Sequence, residues 1–153
     1  MKRYECVKKF TEHAYASYYL DLRKPHKIVG CSSYFVHTRR VRGQEQLEIL
    51  DNQSFIINAP LAATWSNKLV PGIKVVATIR FESGTPDSKC IGYAEKLRDR
   101  FEVYMCLPRD AGEHMFLTLM LTHIEMITFH GTDLYRRKAK INSVHLSEKY
   151  DDD

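Results

Sequence analysis

Two stretches of this chain alternate apolar and polar residues with a period of two, and nothing else in it restricts the fold as tightly. Ile73, Val75, Ala77, Ile79 and Phe81 fall on one side of an extended chain, and Lys74, Thr78, Arg80 and Glu82 on the other, with only Val76 out of phase. Phe101, Val103, Met105 and Leu107 repeat the alternation. Successive strand side chains point to opposite faces, so each stretch reads as a strand with one buried and one wet face. That is the signature of antiparallel β structure packed on a core from one side.

Turn residues divide the remainder. Pro71-Gly72 precedes the first alternating strand, Ser83-Gly84-Thr85-Pro86-Asp87 follows it, and Arg98-Asp99 marks a tight hairpin between 89–97 and 101–107. Upstream, 28–38 reads as a strand, Arg39 to Gln46 as a polar loop, and 46–50 with 53–58 as a hairpin turning at Asp51-Asn52. Downstream, the apolar run 115–129 reads as a long central strand bent near Thr122-His123. Two short helices are expected. One covers 12–22, with Thr11 as cap and Pro25 beyond its end; the other covers 60–68, with Pro60 in its first turn and Ala62-Ala63 inside. The fold class is therefore mainly β, a compact antiparallel barrel or sandwich of about seven or eight strands with one or two short helices.

The order hairpin, helix 60–68, strand, hairpin resembles that of OB-type barrels, in which a helix sits between the third and fourth strands. Strands 101–107 and 115–129 are additional to that plan. Residues 51–81 also resemble the last half of some ubiquitin-like domains, through Pro60, Trp65 and Pro71-Gly72, and no function is carried over from that likeness. A length of 153 residues suits one domain. The expected division is a β domain over 1–135 and a basic-then-acidic tail over 136–153, with room for partial order in the tail.

Function is sought in the placement of charge, because the net charge of +4 is modest. Basic residues gather at Arg23-Lys24-Lys27, at Arg39-Arg40-Arg42 and at Arg136-Arg137-Lys138-Lys140. Guanidinium groups grip phosphates bidentately, and aromatic faces stack on bases. The expectation is a non-enzymatic protein that binds DNA or RNA through its phosphate backbone. Arg39, Arg40, Arg42, Arg136, Arg137 and Lys138 are the expected phosphate contacts, and Tyr34 and Tyr135 the expected stackers. The competing expectation is a protein-interaction or self-assembly module that uses a sheet edge or the face of 115–129.

Catalytic chemistry has thin support. His130-x-Thr132 and His145-x-Ser147 are similar to the paired motifs of two-histidine phosphoesterases, in which histidines move protons and hydroxyls hold phosphate oxygens. They stand only fifteen residues apart, however, whereas that family separates them widely. No phosphate-binding glycine loop or nucleophile elbow is present, so no catalytic residue and no cofactor is assigned. Cys6, Cys31, Cys90 and Cys106 form no close pairs of the kind zinc needs, and a metal site seeded by His123 and Glu125 is less expected than a simple hydrogen bond between them. Residues 1–10 show no apolar signal region and no run is long enough to span a bilayer, so an intracellular protein without a membrane partner is expected.

Overall fold

The computed structural model describes residues 15–64, 68–82 and 92–149, with no account of the side chains at 34–35, 49–52, 63–64 and 82. Its strands are β1 (Tyr15–Asp21), β2 (Lys27–Val41), β3 (Gln44–Thr64), β4 (Lys74–Glu82), β5 (Gly92–Lys96), β6 (Arg100–Pro108), β7 (Met126–Thr132) and β8 (Lys138–Ser147). The one helix among the described residues is α1 (Arg109–Leu121), between β6 and β7.

Seven strands close on themselves in the order β1-β7-β8-β5-β6-β4-β3, with β3 returning to β1. Closure satisfies the backbone groups an open sheet would leave at its edges. All neighbours are antiparallel except β4 and β6. The alternation read from the sequence is seen directly: Val75, Ala77, Ile79 and Phe81 face inward, as do Phe101, Val103, Met105 and Leu107. Tyr18, Phe55, Phe101 and Phe129 are the largest fully buried side chains. The Tyr18 and Phe101 rings lie 4.9 Å apart, and the Tyr18 hydroxyl donates to the Thr132 carbonyl at 2.8 Å. Burial pushes the Tyr18 phenol well above its ordinary range.

One mouth of the barrel is plugged by α1. Met115 and Leu119 point into the core, and the Phe116 ring sits 5.3 Å from Phe55. Gly112 faces the Phe81 ring so closely that any side chain there would collide with it. A second close approach lies at the β7–β8 bulge, where a Cβ on Gly131 would run into the Lys140 carbonyl.

Strand β3 explains the shape of the molecule. One edge of it pairs with β4 through residues 53–60; the other pairs with β2 from Gln44 to Asn58 and then with β1 over residues 61–64. The nine register pairs from Ser33/Asn52 to Val41/Gln44 lie beyond the last β4 partner of β3, Gln53. They form a two-stranded arm reaching about 30 Å past the barrel at about 3.3 Å per residue. Its tip is a two-residue turn, Arg42 (φ 53°) and Gly43 (φ 78°), whose left-handed backbone matches the twist of the hairpin.

Several sequence expectations are corrected here. Residues 15–21 of the expected first helix are strand β1, because pairing with both β7 and β3 outweighs a helical apolar pattern; residues 12–14 lie outside the described part. Asp51-Asn52 is no turn but continuous strand, and the polar loop of Arg39 to Gln46 is the arm itself with its tip. Residues 60–64 of the second expected helix finish β3, so the OB-type order is not followed. The run 115–129 is helix up to Leu121 and strand only from Met126, since Gly112, Met115 and Leu119 share one helical face that fits the barrel mouth. Strand β8 lies inside the segment set apart as a tail, with Ala139 and Ile141 fully buried between β5 and β7.

Candidate polyanion-binding rim

The strand registers fix what meets at the mouth opposite α1. The start of β4, the start of β6, the end of β5 and the start of β8 all lie there, because Lys74 is opposite Arg100, Lys96 opposite Phe101, and Glu95 opposite Lys138. Two turns are joined on this rim by a 2.8 Å hydrogen bond from the Lys96 amide to the Arg137 carbonyl. One is the Leu97–Asp99 turn. The other is Tyr135–Lys138, closed by mutual backbone bonds of 2.8 and 3.0 Å with Arg136 and Arg137 at φ 50° and 66°. Non-glycine residues pay a steric cost at such angles, and two in succession aim both guanidinium groups outward from the turn. Arg136 and Arg137 are exposed, and the Arg136 guanidinium lies 5.4 Å from the centroid of the Tyr135 ring.

Some rim cations are already neutralised. Arg100 bonds Glu102 at 2.7 Å and Asp99 at 3.1 Å, which raises its pKa further. Lys68 bonds the Leu134 carbonyl and lies 3.7 Å from Asp133. By contrast, Lys74, Lys96, Arg98, Arg136, Arg137 and Lys138 form no ion pair with any described residue.

Around the barrel wall the basic character continues into a groove of about 540 Å³ lined by Lys24, His26, Lys27, Asn58, Pro60 and Lys74. The His26 Nδ1–H donates to the Lys24 carbonyl at 2.9 Å, which fixes that loop. Arg23 is withdrawn from the cluster. Asp21 Oδ1 accepts from its backbone N–H and its Nε, both at 3.0 Å, and Oδ2 accepts from Nη2 at 3.2 Å. These bonds hold the Asp21 carboxyl below the usual carboxylate range despite its burial.

Above the rim, Tyr93 and Tyr104 are cross-strand partners on the outer wall, with ring centroids 5.1 Å apart and nearly parallel planes. Lys140 stands directly opposite Tyr93 on β8. The site therefore combines exposed cations with half-buried aromatic rings on one side of the molecule.

Arg136, Arg137, Lys138 and Tyr135 come together on this rim. Arg39, Arg40 and Arg42 do not join them: all three are exposed at the arm tip, beyond the opposite mouth. The side chain of Tyr34 lies outside the described residues; its backbone is opposite Asp51 in the arm. Sequence reasoning missed Lys74, Lys96, Arg98 and the Tyr93–Tyr104 pair. Each cation is a lone charge beside a turn, and only the β4–β6–β5–β8 order makes them neighbours.

The two His-x-Thr/Ser motifs stand on adjacent strands, with His130 opposite Ser143 and Thr128 opposite His145. Ser17 Oγ lies 2.8 Å from His130 Nδ1, and the Thr132 hydroxyl oxygen accepts the Lys140 backbone N–H at 2.9 Å. Both polar groups of the first motif thus already hold structural bonds. His123 lies in the turn after α1, 3.3 Å from Glu125. Among the described residues no group of three or more His, Cys, Asp or Glu side chains is arranged to hold a metal ion, and no helix is long and apolar enough to cross a membrane.

The geometry defines a closed seven-stranded β-barrel with a hairpin arm at one mouth and a basic rim at the other. No family model, no curated protein and no solved structure matches this chain.

Proposed function

We propose that this chain is a nucleic-acid-binding protein that holds phosphates on the rim and bases on the tyrosine wall above it. The observation that carries the reading is the hydrogen-bonded pair of turns, which sets Lys96 and Arg98 beside Arg136, Arg137 and Lys138, none of the five forming an ion pair with a described residue. Backbone phosphates repeat, so a row of unpaired cations along successive strand ends suits them better than it suits a single small anion. Tyr135 adds a ring face next to those cations, and Tyr93 and Tyr104 stand farther up the wall beyond the Glu95–Glu102 pair, a combination of rings and cations that single strands exploit. Single-stranded DNA or RNA is therefore the favoured ligand. The expected roles of Arg136, Arg137, Lys138 and Tyr135 are retained in this proposal, whereas Arg39, Arg40 and Arg42 are too distant to share it.

Fluorescence anisotropy with labelled single- and double-stranded oligonucleotides at two salt concentrations tests the proposal. Affinity should fall with salt, by about 0.7 log units per decade of salt for each phosphate contacted on a single strand. Tyr93→Ala should weaken single-strand binding by about tenfold and duplex binding much less. No binding at low salt, or binding untouched by Arg136→Glu with Arg137→Glu, overturns it.

A further inference from the structure

The arm and the helix that plugs the barrel carry matching unsatisfied surfaces at the mouth opposite the rim. On the arm face continuous with the barrel interior, Val36 and Leu47 are 54% and 67% exposed, and Arg40 follows toward the tip. An isolated two-stranded ribbon is marginally stable in water, so apolar side chains on a projecting arm call for a covering surface. On α1, the stripe opposite the buried Met115 and Leu119 begins with Asp110 and Glu113 and ends with Leu117 and Leu121, the last two 53% and 78% exposed. Acidic residues stand at one end of the helix stripe, and cations at one end of the arm.

The spacings agree as well. Arg40 and Val36 are four strand residues apart, about 13 Å. Glu113 and Leu121 are eight helical residues apart, about 12 Å. An arm laid along α1 with its tip toward the helix N-terminus would bring Arg40 and the turn residue Arg42 to Asp110 and Glu113 while Val36 and Leu47 cover Leu117 and Leu121; Arg39 falls on the other face of the ribbon. Within one chain the helix meets the arm base, where the Phe116 ring packs over Gly30. Between them opens a groove of about 490 Å³ lined by Gly30, Ser32, Gln53, Phe81, Glu113 and Leu117, which extends the helix stripe toward the arm.

From this complementarity we infer that the chain forms a two-fold dimer by reciprocal arm exchange, the arm of each copy lying along α1 of the other. Such an interface is isologous: each copy supplies one arm and one helix, so the contact closes at two chains instead of growing into a fibre. The basic rim remains outside it, at the opposite mouth. Arg40 and Arg42 then serve assembly, which accounts for two arginines so far from the phosphate site.

Light scattering coupled to size exclusion, on the full chain over a concentration series, tests the inference. The expected mass rises from 17.9 kDa toward twice that value. Leu47→Asp with Val36→Asp should return the chain to monomer. Arg39→Glu, Arg40→Glu and Arg42→Glu together, or Asp110→Lys with Glu113→Lys, should each weaken the dimer at least tenfold. Mixing the two charge-reversed chains should restore both arm–helix contacts and yield a heterodimer. A mass of 17.9 kDa at every concentration overturns the inference, as does a dimer indifferent to both charge reversals, or reversed chains that fail to pair when mixed. Oligonucleotide binding measured on the monomeric variants separates this outcome from that of the rim, since rim binding should persist in them.

Discussion

The two mouths of this barrel both gather basic side chains, for different physical ends. At the rim, cations sit on short turns and strand ends anchored to a closed barrel, so their spacing is set by the strand spacing and backbone bonds. At the arm, arginines sit at the tip of a ribbon with β sheet on neither side, beside exposed Val36 and Leu47. In the arm, Glu45 lies opposite Arg40 and Glu48 Oε2 lies 3.2 Å from His37 Nε2, so acidic residues are interleaved with the basic ones across the strands. A rigid row of cations suits a repeating polyanion. A projecting ribbon with exposed apolar side chains suits a protein surface. Two arginine clusters that look alike in the sequence therefore carry different functional meanings.

The contrast can be broken first at the joint between the arm and the barrel. Phe55 packs between Phe81 and Phe116, where β3 leaves the barrel. Phe55→Ala should destabilise the whole domain by about 3–5 kcal/mol in denaturant unfolding. If the loss were confined to the arm while the rim turns stayed protected in hydrogen exchange, the two mouths would not share one cooperative core.

A smaller effect is expected at the rim. Arg136→Ala with Arg137→Ala should weaken oligonucleotide binding by about 10- to 100-fold, roughly evenly across sequences, and lower the salt slope. The same pair of changes at Arg39 and Arg40 should leave anisotropy titrations nearly unchanged. Equal losses from both pairs would erase the distinction drawn between the mouths.

Asp21 offers a pH test that involves neither arm nor rim. Its folded-state pKa is depressed, chiefly by the hydrogen bonds from Arg23. The stability it contributes is thus present above the unfolded carboxylate range, near pH 4, and is lost as pH falls through the lower folded value. Asp21→Asn should cost about 1–2 kcal/mol at neutral pH and flatten the acid limb of a stability profile. The smallest change is predicted for the arm. Replacing the register pairs beyond Val36/Ile49 with a two-residue turn should alter stability by no more than about 0.5 kcal/mol at concentrations where the chain is monomeric. A larger loss would mean that the arm is part of the domain's own core.

Legibility in the sequence followed locality. The 73–82 and 101–107 strands, the Pro71-Gly72 turn and the Arg98-Asp99 turn were readable because alternation and turn chemistry act over a few residues. Residues 15–21 were not: their apolar spacing satisfies a helix, and strand pairing with β7 and β3 decides otherwise. The 109–121 helix was hidden by the opposite ambiguity, since apolar residues at 115–117 and 119–121 also suit a buried strand. For the site, Arg136, Arg137, Lys138 and Tyr135 were legible as one cluster in one turn. Their neighbours Lys96 and Arg98 come from a hairpin nearly forty positions earlier, and no local pattern links the two.

By itself, the sequence determined the β class, the two alternating strands and the existence of separate basic clusters, because these depend on side-chain polarity at short spacing. Tertiary structure alone decided that the Arg39–Arg42 and Arg136–Lys138 clusters stand at opposite mouths and that Lys74, Lys96 and Arg98 join the second. Barrel closure sets strand order and register through long-range backbone pairing. Which charges become neighbours follows from that register, and a linear pattern of residues does not contain it.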